Sequence, residues 1–591
     1  MTTYQAPLRD TLYSLLDLHG YAAHYGALFP EAGLDGETVR AILEAMGQFA
    51  EGELAPLNAS GDQAGARWAA GRVSAPPGFA AAYARFVADG WPALAQAQAH
   101  GGQGLPYSLH MAGAEFLQGA NQAWCMYAML NDGAIKTLLA GAAPEQLRMF
   151  LPKLVSGEWT ATMCLTEAQA GSDLGLLSTR AVPQDDGSYR ITGNKIFISS
   201  GEHDLAPNIV HLVLARLPGA PPGVRGISLF VVPRRHVLAD GALGGENQVS
   251  CLSIEHKMGL KGSATCVMAF DGAQGWLVGE AHRGMASMFI FINKSRLGVA
   301  TQAVAQAQAA HADALAYARQ RQQGRAASGA AQPGACADAL IEHADVRRML
   351  LLQKAIVEGG RALVHHCARW VDLADGPGQE GRERAARQLG LLTPIAKACL
   401  SELACEAVDL GIQVLGGHGY MTEWGMEQRL RDVRVTRIYE GTTGIQAMDL
   451  LGRKVLADAR PLQEFADEVR AWCAAWQDDA GMADLVTRLR AALRSWLDAT
   501  AALAERAPDE PDLVGAVAVD YLMLAGYVVL GYMWARAAAV SGGRDGTDAM
   551  HAGKRQTARF YFDCVLPRIT THAWLIEHGA AAHGKIAAAL I

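Results

Sequence analysis

Three short segments hold residue types that chemistry uses. In Arg437-Ile-Tyr-Glu-Gly-Thr-Thr-Gly-Ile-Gln446 a single acid, Glu440, lies in a Gly/Thr-rich turn between helical stretches. Rigid flanks there can aim a carboxylate into a cleft. In Leu165-Thr-Glu-Ala-Gln-Ala-Gly-Ser-Asp-Leu-Gly175, N–H groups near Gly171 and the hydroxyls of Thr166 and Ser172 can hold a polar, anionic ligand. Gly411-Ile-Gln-Val-Leu-Gly-Gly-His-Gly419 offers glycines past which a ligand can approach the backbone. Each segment also has a plain reading: a solvated acid, an ordinary turn, a helix C-cap.

Other chemistries lack their usual residues. The chain has no G-x-x-x-x-G-K-[ST], no H-E-x-x-H and no G-x-S-x-G. A G-x-G-x-x-G at Gly376–Gly381 sits in a polar loop and follows no strand, so it fails the context of a dinucleotide fold. His365-His366-Cys367 are adjacent, and adjacent residues do not share a helix face, so no metal site is expected there.

The charge balance of −8 and a pI near 6.1 argue against nucleic-acid binding, which needs a surplus of Lys and Arg. Ten cysteines with no C-x-x-C pair point to free, mostly buried thiols in a reducing compartment. Met1–Asp10 shows no signal-peptide pattern, and a cytoplasmic location is expected. Val514–Ala535 is apolar except for Asp520. Its uncharged part, Tyr521–Ala535, has 15 residues, short of the ~20 that span a bilayer, so a buried core helix is expected rather than a membrane span.

The elements that must carry the three segments follow from the pattern. From Leu8 to about Leu154 the chain reads as helix, with Val39, Ile42, Leu43, Met46 and Phe49 on one stripe. Thr160 to about Gly279 reads as strands. A hairpin turns at Asp185-Asp186-Gly187-Ser188, and Val210–Arg216 and Gly226–Pro233 are short apolar runs. Helix returns from about Met285, with loops at Gly324–Gly334 and Asp372–Glu380, and Glu505–Asp512 punctuates a last helical section. The expected fold is mainly α with a central β barrel-like domain and a C-terminal helical extension. Its expected blocks are 1–158, 159–280, 281–455 and 456–591.

Taken together, in this order and spacing, the segments resemble the acyl-CoA dehydrogenase family, FAD enzymes that introduce a trans double bond between Cα and Cβ of acyl thioesters. The resemblance covers roughly Pro144–Arg453. Ser253–Cys266 and the turn with Gly444-Ile-Gln446 are similar to the large subgroup typified by 3-methylmercaptopropionyl-CoA dehydrogenase.

Residue by residue, the resemblance implies that Glu440 is the catalytic base. It implies that Leu165, Thr166, Gly171 and Ser172 line the isoalloxazine, and that Phe197 and Ser199 cover the flavin face and bond near N5. The family usually has Trp and Thr at those last two positions, so this chain keeps an aromatic platform and a hydroxyl. Arg321, Gln413, Gly416 and Gly417 match contacts to the FAD of a neighbouring subunit, which implies a homodimer. Arg321-Gln-Gln-Gly-Arg325 departs from the Arg-x-x-Phe-Gly of many members. Thr442 and Thr443 match cofactor contacts just after the base. Ser172, Gly441, Asn293 and Arg296 match substrate positions, the last two near the CoA part.

The implied chemistry suits these residue types. An α-proton beside a thioester is a very weak acid, so the carbonyl must be polarised while a base removes the proton. The resemblance implies two donors to the thioester oxygen, the Glu440 N–H and a flavin ribityl hydroxyl. It implies a base whose pKa rises on desolvation, hydride transfer from Cβ to flavin N5, and reoxidation by an electron-transfer flavoprotein. Two alternatives stay open at this level: an oxidase using oxygen, and a non-catalytic acyl-CoA-binding protein on the same fold.

Overall fold

The computed structural model describes residues 3–238, 240–376, 381–542, 548–583, 586 and 588–590. Residues 377–380 of the Gly376–Gly381 motif and of the expected Asp372–Glu380 loop lie outside the described residues. Helices dominate before residue 156 and after residue 283, and a sheet fills the stretch between. The expected α–β–α order and the helical extension are therefore found. One small hairpin, Arg67–Ala69 with Arg72–Ser74, interrupts the first helical stretch.

The chain forms two compact units: Met1–Ala45 with Met111–Gly119 and Arg296–Ile591, and Met46–His110 with Ala120–Ser295. These units divide the expected first block. The reason is visible in the first unit, where Arg361 is fully buried and bonds the Glu115 carboxylate at 2.9 Å, Gln308 at 2.7 Å and the Asp10 carboxylate. Lys554 pairs with Asp10 and, at 2.9 Å, with Glu358. A buried guanidinium left without carboxylates is very costly, so this network ties the N-terminal segment, Glu115 and the extension into one body.

The sheet of the second unit explains how an aromatic platform is presented. Its strands are β1 (Thr160–Cys164), β2 (Arg180–Pro183), β3 (Tyr189–Ser199), β4 (Ile209–Arg216), β5 (Ile227–Pro233), β6 (Val249–Ile254) and β7 (Thr265–Val278). Pairing runs β7–β3–β2–β4–β5 and back to β7, which closes a ring, with β1 parallel to β4 and β6 antiparallel to β7. Closure removes free edges from the ring, the problem that open sheets must otherwise manage. β4 and β5 read as near-continuous apolar runs because both of their faces are buried. The expected hairpin is present, with Gly187 supplying the positive φ of its turn.

Three long helices follow: α1 (Gly284–Gln320), α2 (Ala344–Asp375) and α3 (Arg382–Leu415). They are rich in Ala and Leu, the strongest helix formers. Later comes α4 (Leu513–Gly542), long and apolar enough by composition to cross a membrane. The share of its most apolar window that is buried inside the protein is 72%. Its Asp520 bonds His572 at 2.8 Å. This is the behaviour of a core helix, as its short uncharged run predicts.

Candidate active site

In the second unit, the segment from Leu165 to Ser172 is held like a strap by the carboxylate inside it. Glu167 accepts from Lys195 Nζ at 2.9 Å, from Ser178 N and Oγ at 2.7 Å each, and from Thr179 Oγ1 at 2.6 Å. Thr179 N at 3.0 Å and Gln169 Nε2 at 2.7 Å complete the shell. Burial raises the pKa of this carboxyl, but the Lys195 charge and the donors outweigh it and hold the group far below the usual range. Lys195 also donates to the Leu165 carbonyl at 3.0 Å. The strap is thus fixed at both Leu165 and Glu167, and it leaves Gly171 and Ser172 exposed.

β3 supplies the platform beside it. The register against β7 jumps between Cys266 and Met268, so that Ile196 and Phe197 together oppose Val267. This is a β-bulge, which re-aims a side chain. Phe197 takes φ +58°, a region that bulky residues rarely enter, and stands 60% exposed. The Ile196 N–H donates to the Thr166 carbonyl at 2.9 Å, and the Ser199 carbonyl accepts from Thr162 at 2.6 Å. Leu165 and Thr166 are therefore bonded to the strand that carries Phe197 and Ser199, and Gly171 and Ser172 follow on the same strap. A Cβ on Gly171 would meet nothing within 4 Å, so open space lies above its backbone. An exposed aromatic on strained backbone beside a bare, rigid strap fits a flat, anionic cofactor such as FAD.

In the first unit, the turn at Glu440 is gripped from one face of α3. Lys397 Nζ donates to the Gly441 carbonyl at 2.5 Å, and Ser401 Oγ, which bonds the Lys397 carbonyl at 2.6 Å, lies 3.1 Å from the Thr436 carbonyl. Glu402 accepts from Thr443 Oγ1 at 2.6 Å and pairs with Arg437. Gln446 Nε2 donates to the Glu440 carbonyl at 2.9 Å, and Arg296, itself buried, approaches the same oxygen at 3.4 Å. Glu440 takes φ +57° and Gly441 φ +96°. A non-glycine residue in the left-handed region costs on the order of 1–3 kcal/mol and persists only where its surroundings enforce it.

The Glu440 carboxyl is half-buried and accepts no hydrogen bond among the described residues. Burial pushes its pKa up to about 7, with Arg296 and Lys397 pulling the other way. A carboxylate with open lone pairs and a pKa near neutrality has the properties of a general base.

The other expected site residues are placed as follows. Thr442 caps the helix after the turn by accepting from the Ile445 N–H at 3.3 Å, while the Thr443 hydroxyl is spent on Glu402 of α3. Gln413, Gly416 and Gly417 are exposed at the end of α3, where Gly416 takes φ +60° and a Cβ on either glycine would meet nothing. Next to them Tyr317 bonds His418 at 2.7 Å, and His418 stacks on Trp424. Arg321 is exposed just after α1. Asn293 is exposed, whereas the Arg296 guanidinium is committed to the Glu440 carbonyl and, at 3.4 Å, to Asp449. His365 and His366, read as too awkwardly placed for a shared metal, bond Ser14 and Trp370 instead.

The sequence reading missed Lys397, Glu402 and the Glu167–Lys195 pair. For Lys397 a signal exists: it is a lone charge in the apolar run Leu391–Leu400 of a helix.

The chain matches four family domains in order: the acyl-CoA dehydrogenase N-terminal domain over residues 36–158, its middle domain over 162–273, its C-terminal domain over 282–456, and an acetyl-CoA dehydrogenase C-terminal-like domain over 465–586. It is 43% identical to 3-methylmercaptopropionyl-CoA dehydrogenase of Ruegeria pomeroyi over 90% of each chain. The chain belongs to the acyl-CoA dehydrogenase family.

It is also 34% identical to the broad-specificity linear acyl-CoA dehydrogenase FadE5 of Mycobacterium tuberculosis over 98% of each chain. Its fold matches an acyl-CoA dehydrogenase from Bacillus anthracis solved in complex with FAD, with a TM-score of 0.75 at 21% identity, covering 93% of this chain and 89% of that one. FAD is the cofactor of acyl-CoA dehydrogenases, and the strap and platform fit it.

Proposed function

We propose that this acyl-CoA dehydrogenase oxidises a short acyl-CoA thioester of the 3-methylthiopropionyl type to its trans-2-enoyl-CoA, with Glu440 as the base. The observation that carries this reading is the Glu440 turn: a carboxyl on strained, clamped backbone, free of hydrogen bonds among the described residues and near pKa 7. The 43% identity to the Ruegeria enzyme supports the acyl group. The Mycobacterium relative, named for linear acyl chains, supports the second reading, a fatty acyl-CoA.

In the proposed mechanism Glu440 removes the α-proton, and its carboxyl holds that proton until product leaves. The Glu440 N–H donates to the thioester oxygen and stabilises the charge that develops there. Leu165, Thr166, Gly171, Ser172, Phe197 and Ser199 hold the cofactor ring, and Thr442 and Thr443, proposed as further cofactor contacts, stiffen the turn that carries the base. Bound FAD supplies the acceptor for the hydride that leaves Cβ. Ser172, Gly441, Asn293 and Arg296 remain the proposed substrate positions, Arg296 acting through the Glu440 carbonyl. Arg321, Gln413, Gly416 and Gly417 are proposed to reach the FAD of a second copy in a homodimer. An electron-transfer flavoprotein is the proposed acceptor, the cytoplasm the proposed location, and 1–158, 159–280, 281–455 and 456–591 the proposed blocks.

The test is anaerobic bleaching of the FAD-loaded protein with CoA thioesters of graded length, 3-methylthiopropionyl-CoA among them. Fastest bleaching by that thioester supports the assignment. Fastest bleaching by a long straight chain moves it to a fatty acyl-CoA. Decay of the reduced flavin that is faster under oxygen than with electron-transfer flavoprotein makes the protein an oxidase.

A further inference from the structure

Lys397 has no place in the reaction as described so far, yet its position is unusual. It is fully buried, sits on the face of α3 that grips the catalytic turn, and spends its bond on a backbone oxygen, the Gly441 carbonyl. A buried ammonium is costly without compensation, and a neutral carbonyl is a weak partner for one. The remaining compensation is the charge of two nearby carboxylates, Glu440 first and Glu402 after it, and Lys397 acts back on Glu440.

One turn further along the same face, Ser401 Oγ shares its hydrogen between the Lys397 carbonyl at 2.6 Å and the Thr436 carbonyl at 3.1 Å. Two turns along, Cys405 Sγ donates to the Val433 carbonyl at 3.9 Å, and Val433 and Thr436 both lie in the segment before the base. Removing those two would loosen the approach to the turn. Removing Lys397 would change both the turn and the charge that the base meets.

We propose that Lys397 is a positioning residue for the base: anchored on the Gly441 carbonyl, its ammonium fixes the left-handed turn and keeps the Glu440 carboxyl ionisable at neutral pH. The inference rests on the reading of Glu440 as the base. The charges around that turn come from the elements packed on it, and α4, which packs on the helix after the turn, carries Asp520, already bonded to His572. α1 contributes Arg296, and α3 contributes Lys397 and Glu402. The segment before the turn contributes Arg437, and the one after it contributes Asp449, Arg453 and Lys454.

Most of these charges are already matched. Arg437 is paired with Glu402, while Arg296 and Lys454 are paired with Asp449. Arg453 has no carboxylate bond among the described residues but is exposed, so Lys397 is the buried cation of that set with no carboxylate bonded to it. Burial draws its own pKa down to about 8, the Glu440 charge opposing, so it is mainly charged where Glu440 titrates.

The experiment titrates Glu440 directly in the FAD-loaded protein, by the infrared band of a protonated carboxyl that is absent from E440Q, in wild type, K397M, K397Q and K397R. The band should titrate near 7 in wild type. In K397M and K397Q its midpoint should move up by about one pH unit or more, because a stabilising positive charge is gone. K397R should restore it to within about half a unit. The pH dependence of flavin bleaching by thioester should follow the same shift, which a merely structural lysine would not produce.

The coupling is reciprocal, so E440Q reads it from the other end. Lys397, followed by lysine-selective NMR, must lose its proton at lower pH in E440Q than in wild type, whether or not K397M folds. An unmoved lysine titration in E440Q, or an unmoved carboxyl midpoint in folded K397M or K397Q, overturns the proposal even if E440Q has lost bleaching and the base assignment stands. If no thioester bleaches the wild type, the base assignment fails and takes this proposal with it.

Discussion

Glu167 and Glu440 are the same residue type on two loops of one chain, and their surroundings are opposite. Glu167 is buried under six donors, including the Lys195 ammonium, so its lone pairs are occupied and it stays ionised. Glu440 has cations nearby but no donor on its carboxyl, and burial lifts it to about 7. The first arrangement makes a fastener, and the second makes a group that can take a proton. In the Glu440 turn the hydrogen bonds go to the backbone carbonyls of Glu440 and Gly441, so the turn is rigid while the carboxyl stays available. Saturation of the carboxylate, rather than burial alone, separates structure from chemistry here.

The sharpest way to break this contrast is Glu440→Gln. The amide keeps the shape and the backbone N–H but cannot accept the α-proton. Flavin reduction in a single turnover should fall by about 10²–10⁴-fold or more, the contribution of a positioned base. A 10⁴-fold loss corresponds to roughly 5.4 kcal/mol of transition-state stabilisation. FAD content should be unchanged. A variant that bleaches at the wild-type rate removes the base assignment.

Glu167→Gln asks the complementary question. It leaves Lys195, which is 0% exposed, without its carboxylate. Breaking a buried pair on one side should cost about 3 kcal/mol of folding stability and weaken FAD retention. With FAD at saturating concentration, the midpoint of the pH–rate profile should stay where it is. Urea unfolding followed beside that profile checks both parts. A shifted profile with unchanged stability would mean that the two glutamates had been assigned the wrong way round.

What the sequence could show follows the same division. The turn at Glu440 was legible because its Gly/Thr sequence marks it locally, and the family resemblance points to the acid within it. The hairpin at Gly187 and the strands at Val210–Arg216 and Gly226–Pro233 were legible because composition and turn chemistry act over a few residues. The Phe197 bulge was not, because it depends on the register of β3 against β7, seventy residues away in sequence. Lys397 lies 44 residues from the carbonyl it holds, and the Lys195–Glu167 pair spans 28. The N-terminal residues joined the C-terminal unit through Asp10 and Arg361, a long-range pairing that no local pattern announces.

Gly441→Ala perturbs the turn without touching any charge. At φ +96° an alanine is strained, and its Cβ would come within 2.7 Å of Gln446 Nε2, the donor that holds the Glu440 carbonyl. Gln446 or the turn must give way, either of which loosens the clamp on the Glu440 carbonyl, and flavin reduction should slow by about tenfold, equivalent to about 1.4 kcal/mol. Stopped-flow bleaching beside a urea titration separates this from unfolding. An unchanged rate would show that the clamp on the backbone is dispensable and that the open carboxyl alone is enough.

The smallest effect separates the two glutamates by sign. Glu440 has a folded pKa near 7, above the roughly 4.3 of an unfolded glutamate, so the folded state holds this proton more tightly. Its favourable contribution is complete below about pH 4.3 and is lost as the pH rises through 7. Glu440→Gln has no proton to lose, so relative to wild type it should gain stability between pH 5 and pH 8. Because the carboxyl is half-buried, the gain should be about 1 kcal/mol rather than the full value of the shift. Glu167, held far below its unfolded value, behaves in reverse: its contribution is complete above about pH 4.3 and is lost on acidification. The deficit of Glu167→Gln should therefore be constant from pH 5 to pH 8 and shrink only in stronger acid. Urea midpoints of the three FAD-loaded proteins at pH 3.5, 5 and 8 measure both slopes. If the Glu440→Gln difference is flat between pH 5 and pH 8, the carboxyl is as solvated in the fold as in the unfolded chain, and its readiness to accept a proton needs another cause.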